Sequence, residues 1–399
     1  MSSLLMRQVI LDQEEKIVAF SINKMPSENA SPIQNLKNTF NEIFNIGVNT
    51  LLAKTIGFIN IDSTISTNEL IELIPPNNFS LVFTMDSYIL QRSLGKIKDL
   101  HEKTYNLTLR ISDYKNINLY ENYFNYFSYL ELNSLYLNTE EIDDIIKRVK
   151  LYKPSIFISN IKTQELFEHC KKQGAELFQG NYIAKPFITE GSKVSSESKI
   201  ILELLNLLDS EASISKIAHC FSSYPKLTIS LLKFLNSASL FLKVDIQSIK
   251  HAILLLGRKQ MRQWLLVIAY LKTEDNLDMF ANPLFHLVQS RLSIMEILAE
   301  KLNIDKYQAS FIGSLSLLEP LMHIPMKDIL NELTLDKIIK KAILEYYGDL
   351  GILLKLVLSA EELNYEEIDS CLKLLDLKTK DFQEALILSY KKDVLELKL

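Results

Sequence analysis

Residues 223–269 read SYPKLTISLLKFLNSASLFLKVDIQSIKHAILLLGRKQMRQWLLVIA. Leu227, Leu231, Phe234, Leu235 and Ala238 recur at spacings of three and four, which draws one apolar stripe along a helix that Pro225 can open in its first turn. A second stripe, Ile249, Ala252, Ile253 and Leu256, follows Ser248, a good N-cap, and stops at Gly257, where a left-handed residue closes a helix without the penalty of a Cβ. A third, Met261, Trp264, Leu265 and Ile268, begins at once. Three short helices therefore fold against one another around Gly257.

The order of residue types in this run resembles the signature of the HDOD domain. Asn236, Ser237 and Ala238 stand at its Asn-Ser-Ala turn, Ser248 and Ile249 at its next helix start, and Leu255, Leu256 and Gly257 at its Leu-Leu-Gly end. The resemblance implies an all-helical fold shared with the metal-dependent HD phosphohydrolases in shape only.

Outward from this core the chain changes character. Before Pro186, short β-rich runs alternate with helical stripes, and the candidate strands are 8–11, 17–22, 58–61, 80–83, 107–111, 129–132, 155–158 and 176–178. The stripes between them include Leu36, Phe40, Ile43, Phe44 and Leu51, and further on Ile142, Ile145, Ile146 and Val149. Eight strands with intervening helices predict a closed, modified (β/α)8 barrel. Only Asp12 to Lys16 separates the first two strands, too few residues for a helical crossover, so that pair is expected to be antiparallel. After Pro186 the pattern is helix after helix to the C-terminus. The expected organisation is an α/β barrel over 1–188, a small polar junction over 189–198 that should pack rigidly, and an all-helical HDOD domain over 199–399.

The barrel half resembles the EAL domain, the phosphodiesterase that opens cyclic di-GMP. The run RQVILDQEEKIVAFSI at 7–22 is similar to the family's opening, Asn60 in Phe58-Ile59-Asn60-Ile61 to its Asn-bearing third strand, and Glu176 to Gly180 with Lys185-Pro186 to its closing run. Barrel followed by HDOD domain is a recurrent bacterial arrangement, and the resemblance implies a signalling protein.

Chemistry in such a barrel sits at the C-terminal ends of the strands, and a two-metal phosphodiester hydrolase needs carboxylate oxygens there. On the resemblance, Ser21 replaces the name-giving Glu, Val82 the next Glu, and Ser112-Asp113-Tyr114 the Asp-Asp-Phe triplet. Glu131 and Asn133 replace the catalytic Lys and its neighbouring Asp, and Ser159 to Thr163 the late Glu-Lys-Val-Glu-Thr run. A residual ligand pocket would draw on Asn60, Asp113 and Gln179. Asp62, Asp86 and Asp113 are expected to cap helices. In the helical half Ser316 and Leu317 stand where an HD hydrolase carries its His-Asp pair, and His101, His169, His219, His251, His286 and His323 show no ligand spacing. No catalytic residue, metal or other cofactor is expected.

Net charge −5 disfavours general nucleic-acid binding. No apolar run approaches the ~18 residues of a membrane span, and the acidic start is unlike a signal peptide, so a cytoplasmic protein without membrane contact is expected. The three cysteines, Cys170, Cys220 and Cys371, read as reduced, buried thiols. Two features are left for binding: the basic group Lys250, Arg258, Lys259 and Arg262, and the aromatic run Tyr120, Tyr123, Phe124, Tyr126, Phe127 and Tyr129, whose spacing favours core packing. The expected function is non-enzymatic regulation through contacts with other signalling proteins. The alternative is a sensor that binds cyclic di-GMP without cutting it.

Overall fold

A computed structural model describes residues 4–25, 30–62, 69–185, 196–235, 248–269 and 282–396. The chain divides into two compact units, Met1–Ile183 and Ala184–Leu399. The expected junction falls largely outside the described residues.

Eight strands, β1 (Leu5–Leu11), β2 (Ile17–Lys24), β3 (Ile56–Ile61), β4 (Phe79–Met85), β5 (Asn106–Ile111), β6 (Tyr129–Asn133), β7 (Ser155–Ile161) and β8 (Leu177–Gly180), close into a barrel in sequence order. The five-residue link after β1 works as a tight turn. Asp12 Oδ1 accepts from the backbone N–H of Glu14 at 3.0 Å and of Lys16 at 2.8 Å, and Glu15 takes the left-handed conformation. A link this short returns the chain antiparallel, and β1 is antiparallel to both β2 and β8 while all other neighbours are parallel.

The outer layer holds α1 (Pro32–Ile46), α2 (Val48–Leu52), α3 (Ser87–Glu102), α4 (Thr139–Val149) and α5 (Gln164–Gln173). Each longer helix starts where a short polar side chain takes an orphan N–H: Ser31 for α1, Asp86 for α3, Asn138 in a reciprocal capping box with Glu141 for α4, and Thr163 for α5. Ile142, Ile145, Ile146 and Val149 are buried as their spacing predicts. Phe44 is not: it lies about 100° round α1 from Ile43 and is 52% exposed. Gly47, at φ 89°, ends α1, so the stripe does not run on to Leu51.

In the helical unit, α6 (Ser196–Asp209), α7 (Ile214–Ser222), α8 (Pro225–Leu235), α9 (Ile249–Ala269), α10 (Pro283–Lys301), α11 (Lys306–Leu315), α12 (Leu318–Met322) and α13 (Met326–Glu332) precede α14 (Lys337–Glu345), α15 (Gly348–Glu361), α16 (Tyr365–Leu374) and α17 (Thr379–Glu396). Gly257 breaks α9 with φ 78° and ψ 166°, a conformation only glycine adopts without strain. Ser248 Oγ accepts the His251 N–H at 3.1 Å and so caps α9 as read. Asn236, Ser237 and Ala238 lie outside the described residues.

All three cysteines are free thiols, but Cys220 is half-exposed, contrary to the expectation of three buried ones. Cys170 is fully buried, and burial, with Asp143 adding to it, pushes its thiol up to about 12. Thiolate is the reactive species. Ellman's reagent should therefore leave Cys170 unmodified in the folded protein at pH 8 and reach it only on unfolding; peptide mass mapping showing native labelling of Cys170 would contradict its burial.

A second test concerns barrel closure. A Cβ on Gly180 would collide with the backbone of Ile161, its partner across β7 and β8, and backbone, unlike the end of a side chain, cannot step aside. Gly180→Ala should cost more than about 2 kcal/mol. An unchanged urea midpoint would show that the two strands are less closely apposed.

Candidate functional site

Successive side chains on a strand face opposite sides, so one known inward residue fixes all the others on its strand. Ile10, Ala19, Phe58, Val82 and Phe157 form the apolar core cluster, with Ile56, Tyr129 and Leu177 packed against it. The Phe58 ring sits 5.1 Å from that of Tyr129 and 5.4 Å from that of Phe157, so three strands meet in this layer. Two residues on toward the C-terminal rim, or two back along the reversed β1, the inward positions are Gln8, Ser21, Asn60, Thr84, Glu131, Ser159 and Gln179. The apolar layer is thus followed by a polar one.

On β5 the inward positions are Thr108, whose hydroxyl lies 2.7 Å from that of Ser80 on β4, and Arg110. Arg110 organises the polar layer. Its guanidinium donates to Glu131 Oε2 at 2.7 Å, to Asn60 Oδ1 at 2.9 Å and to Thr84 Oγ1 at 3.4 Å, tying β3, β4 and β6 to β5. Glu131 is 2% exposed and Arg110 27%, so the pair is largely removed from water. Across the mouth, Gln179 donates to Gln8 Oε1. Asn23 donates to Ser21 Oγ at 3.2 Å, and Asn160 to Asn133 Oδ1 at 3.1 Å. Asn133 N–H in turn donates to Tyr114 Oη at 3.0 Å, and burial raises the Tyr114 phenol above its ordinary value.

The sequence residues therefore meet unevenly. Asn60 lies on the Arg110 network, Gln179 is held in an amide pair with Gln8, and Asp113 is engaged with the Asn116 side chain at 2.5 Å. Asp86 caps α3 through the Ile89 N–H at 2.7 Å, as read, whereas Asp113 makes no cap hydrogen bond. The signal that finds Arg110 is in Leu107-Thr108-Leu109-Arg110-Ile111: alternation puts a lone cation on the inward face of a strand, and a buried cation needs an anion.

These residues do not fit a dication. Glu131 supplies the single inward carboxylate of the polar layer and is occupied by Arg110; Asn60 on β3 gives its amide oxygen to the same guanidinium. Hard divalent ions need several oxygen ligands, and a fixed guanidinium beside them repels a second cation. Among the described residues no three His, Cys, Asp or Glu side chains converge to hold a metal.

In the helical unit the Ser316 hydroxyl lies 2.7 Å from Arg291 Nη1. Arg291 is 2% exposed and forks onto Glu361 at 2.8 and 2.7 Å. The basic group at the Gly257 turn is smaller than its sequence implies. Arg258 donates to the carbonyls of Ser210 and Ala212 beyond the end of α6. Arg262 pairs with Asp209 and lies 3.7 Å over the Phe311 ring, its pKa lowered by burial. Lys250 and Lys259 alone of the four remain exposed. Half of the aromatic run is core: Tyr120, Phe124 and Phe127 are at most 1% exposed, whereas Tyr123, Tyr126 and Tyr129 are half-buried.

Residues 195–332 match the model of the HDOD domain, so the class of protein is a closed eight-strand barrel followed by an HDOD domain. Helices α14 to α17 lie beyond the match. The chain is 25% identical over 92% of both chains to the uncharacterized protein YuxH of Bacillus subtilis. It is 26% identical to the cyclic di-GMP phosphodiesterase CdgJ of Vibrio cholerae, over 54% of this chain and 50% of that one. Among solved structures, the YkuI protein of Bacillus subtilis, with an EAL domain and in complex with substrate c-di-GMP and calcium, overlaps 64% of this chain and 73% of its own at 14% identity and a TM-score of 0.36.

Removing one member of a buried ion pair strands the other charge. Arg110→Met should cost about 3–5 kcal/mol, and adding Glu131→Leu should recover most of that, since an apolar pair of similar volume is often neutral. Urea denaturation of the two variants checks this; equal losses would mean that the Arg110 contacts to Asn60 and Thr84 matter more than its charge.

Proposed function

We propose that this chain is a non-hydrolytic regulator in cyclic di-GMP signalling, acting through contacts with other signalling proteins. The observation that carries the reading is Arg110: its guanidinium holds both Asn60 Oδ1 and Glu131 Oε2, the oxygens a dication would need. Without a metal, the inward polar layer offers no group among the described residues to activate water for attack on a phosphodiester. The signalling context comes from the likeness to CdgJ, a named cyclic di-GMP phosphodiesterase, and from the resemblance to the EAL and HDOD domains.

A second reading, retention of cyclic di-GMP as a bound ligand, is favoured by a separate observation. Ser159 Oγ and Arg110 Nε are buried without a hydrogen-bond partner, so the polar layer keeps donors to spare. Asn60 and Gln179 would then be ligand contacts, and Asp113, engaged with Asn116, would contribute at the rim.

The deciding experiment is titration calorimetry with cyclic di-GMP in Mg²⁺ and again in Mn²⁺, followed by chromatography for the linear dinucleotide. No product is expected with either metal. Product that disappears in an Arg110→Ala variant would overturn the non-hydrolytic reading. Saturable heat without product would select the second reading over action by protein contacts alone.

A further inference from the structure

The helical unit carries a groove of ≈ 610 Å³ between α6 and the α12–α13 segment, at a size that takes several side chains of a partner. Its floor is apolar, from Leu202 and Leu207 on one wall and Ile324 and Ile329 on the other. Three exposed carboxylates, Glu203, Asp328 and Glu332, stand along it against one cation, Lys199.

Two features mark this groove as more than a packing gap. Its walls are fixed in place: Asn206 donates to the Glu332 carbonyl and accepts the Thr334 N–H, both at 2.9 Å, while Arg258 holds the chain just beyond the end of α6. The groove is therefore formed before anything enters it, which lowers the ordering cost of binding. In addition, none of the three carboxylates has an ion-pair partner among the described residues, Glu203 being hydrogen-bonded to the Cys220 thiol, although Asp209 nearby is matched by Arg262. A surplus of negative charge beside an apolar floor is complementary to an apolar stripe flanked by cations.

We propose that this groove docks an amphipathic helix of a partner protein, with its apolar stripe on Leu202, Leu207 and Ile324 and Lys or Arg side chains beside Glu203, Asp328 and Glu332. Two near-neighbouring helices with an apolar trough between them present the groove that a third helix fills. The proposal rests on the reading that the chain acts through protein contacts and names the surface and the chemistry of what it contacts. It is independent of whether the barrel cuts or binds a dinucleotide.

The probe is a fluorescein-labelled helical peptide of about 18 residues, long enough to hold a helix, with Leu at the first, fourth, fifth and eighth positions of its repeat and Lys beside them. A matched peptide carries Glu in place of Lys. Fluorescence anisotropy with the full chain should show saturable binding of the Lys peptide, weakened about tenfold or more by Glu203→Lys, Asp328→Lys and Glu332→Lys together, and weakened by raising salt from ~0.05 to ~0.5 M. These side chains are exposed, so the triple variant should keep its circular dichroism; if it does not, the salt titration and the Glu peptide on the unaltered chain decide. Equal binding of the Glu peptide, binding indifferent to both charge and salt, or no saturation would overturn the proposal. So would sedimentation showing a dimer that the triple variant abolishes, since the occupant would then be a second copy. A failed peptide test leaves the cyclic di-GMP assay as the measure of the wider function.

Discussion

The barrel is held to one arrangement by an ion pair that cannot be dismantled in part. Glu131 is nearly sealed from water, and an unpartnered carboxylate there would carry a desolvation penalty larger than most single contacts in a protein return. Arg110 removes that penalty only if β5 and β6 keep their register, and its remaining hydrogens reach Asn60 and Thr84 only if β3 and β4 keep theirs. Four of the eight strands are thereby fixed by one side chain. The apolar layer around Phe58 sets the distance between strands and would tolerate a substitution of similar volume, whereas replacing Arg110 alone would leave Glu131 without its partner.

The helical unit has the same device. Arg291, on α10, reaches Glu361 at the end of α15 and Ser316 just after α11, so three helices converge on one buried cation. At each of these places an arginine satisfies the surrounding oxygens from within the chain. A guanidinium has a fixed charge and no exchangeable coordination site, so it can stabilise and orient but cannot bind and activate a water as a metal does.

How far the sequence could be read depended on whether a property was local. The eight strands were legible from short β-rich runs, although the real strands begin or end one to three residues further out in most cases, as with Leu5–Leu11 for 8–11. The antiparallel start followed from a link too short for a crossover, and the α9 cap at Ser248 and break at Gly257 followed from residue type. Phe44 was misread because it lies about 100° round α1 from Ile43, off the face that Leu36, Phe40 and Ile43 bury. Arg258 and Arg262 looked like a basic surface because spacing along a helix does not say which carbonyls and carboxylates other helices bring to it.

The sequence by itself therefore determined the class of each unit and the order of its elements, because periodicity, caps and residue identity act over a few neighbouring positions. The pairing of Arg110 with Glu131 across 21 residues and of Arg291 with Glu361 across 70, and the groove between α6 and α13, were decided by the tertiary structure alone. The physical reason is that a buried charge states only that it must have a partner. Which partner it finds depends on strand register and helix packing, and those are set by the whole core at once.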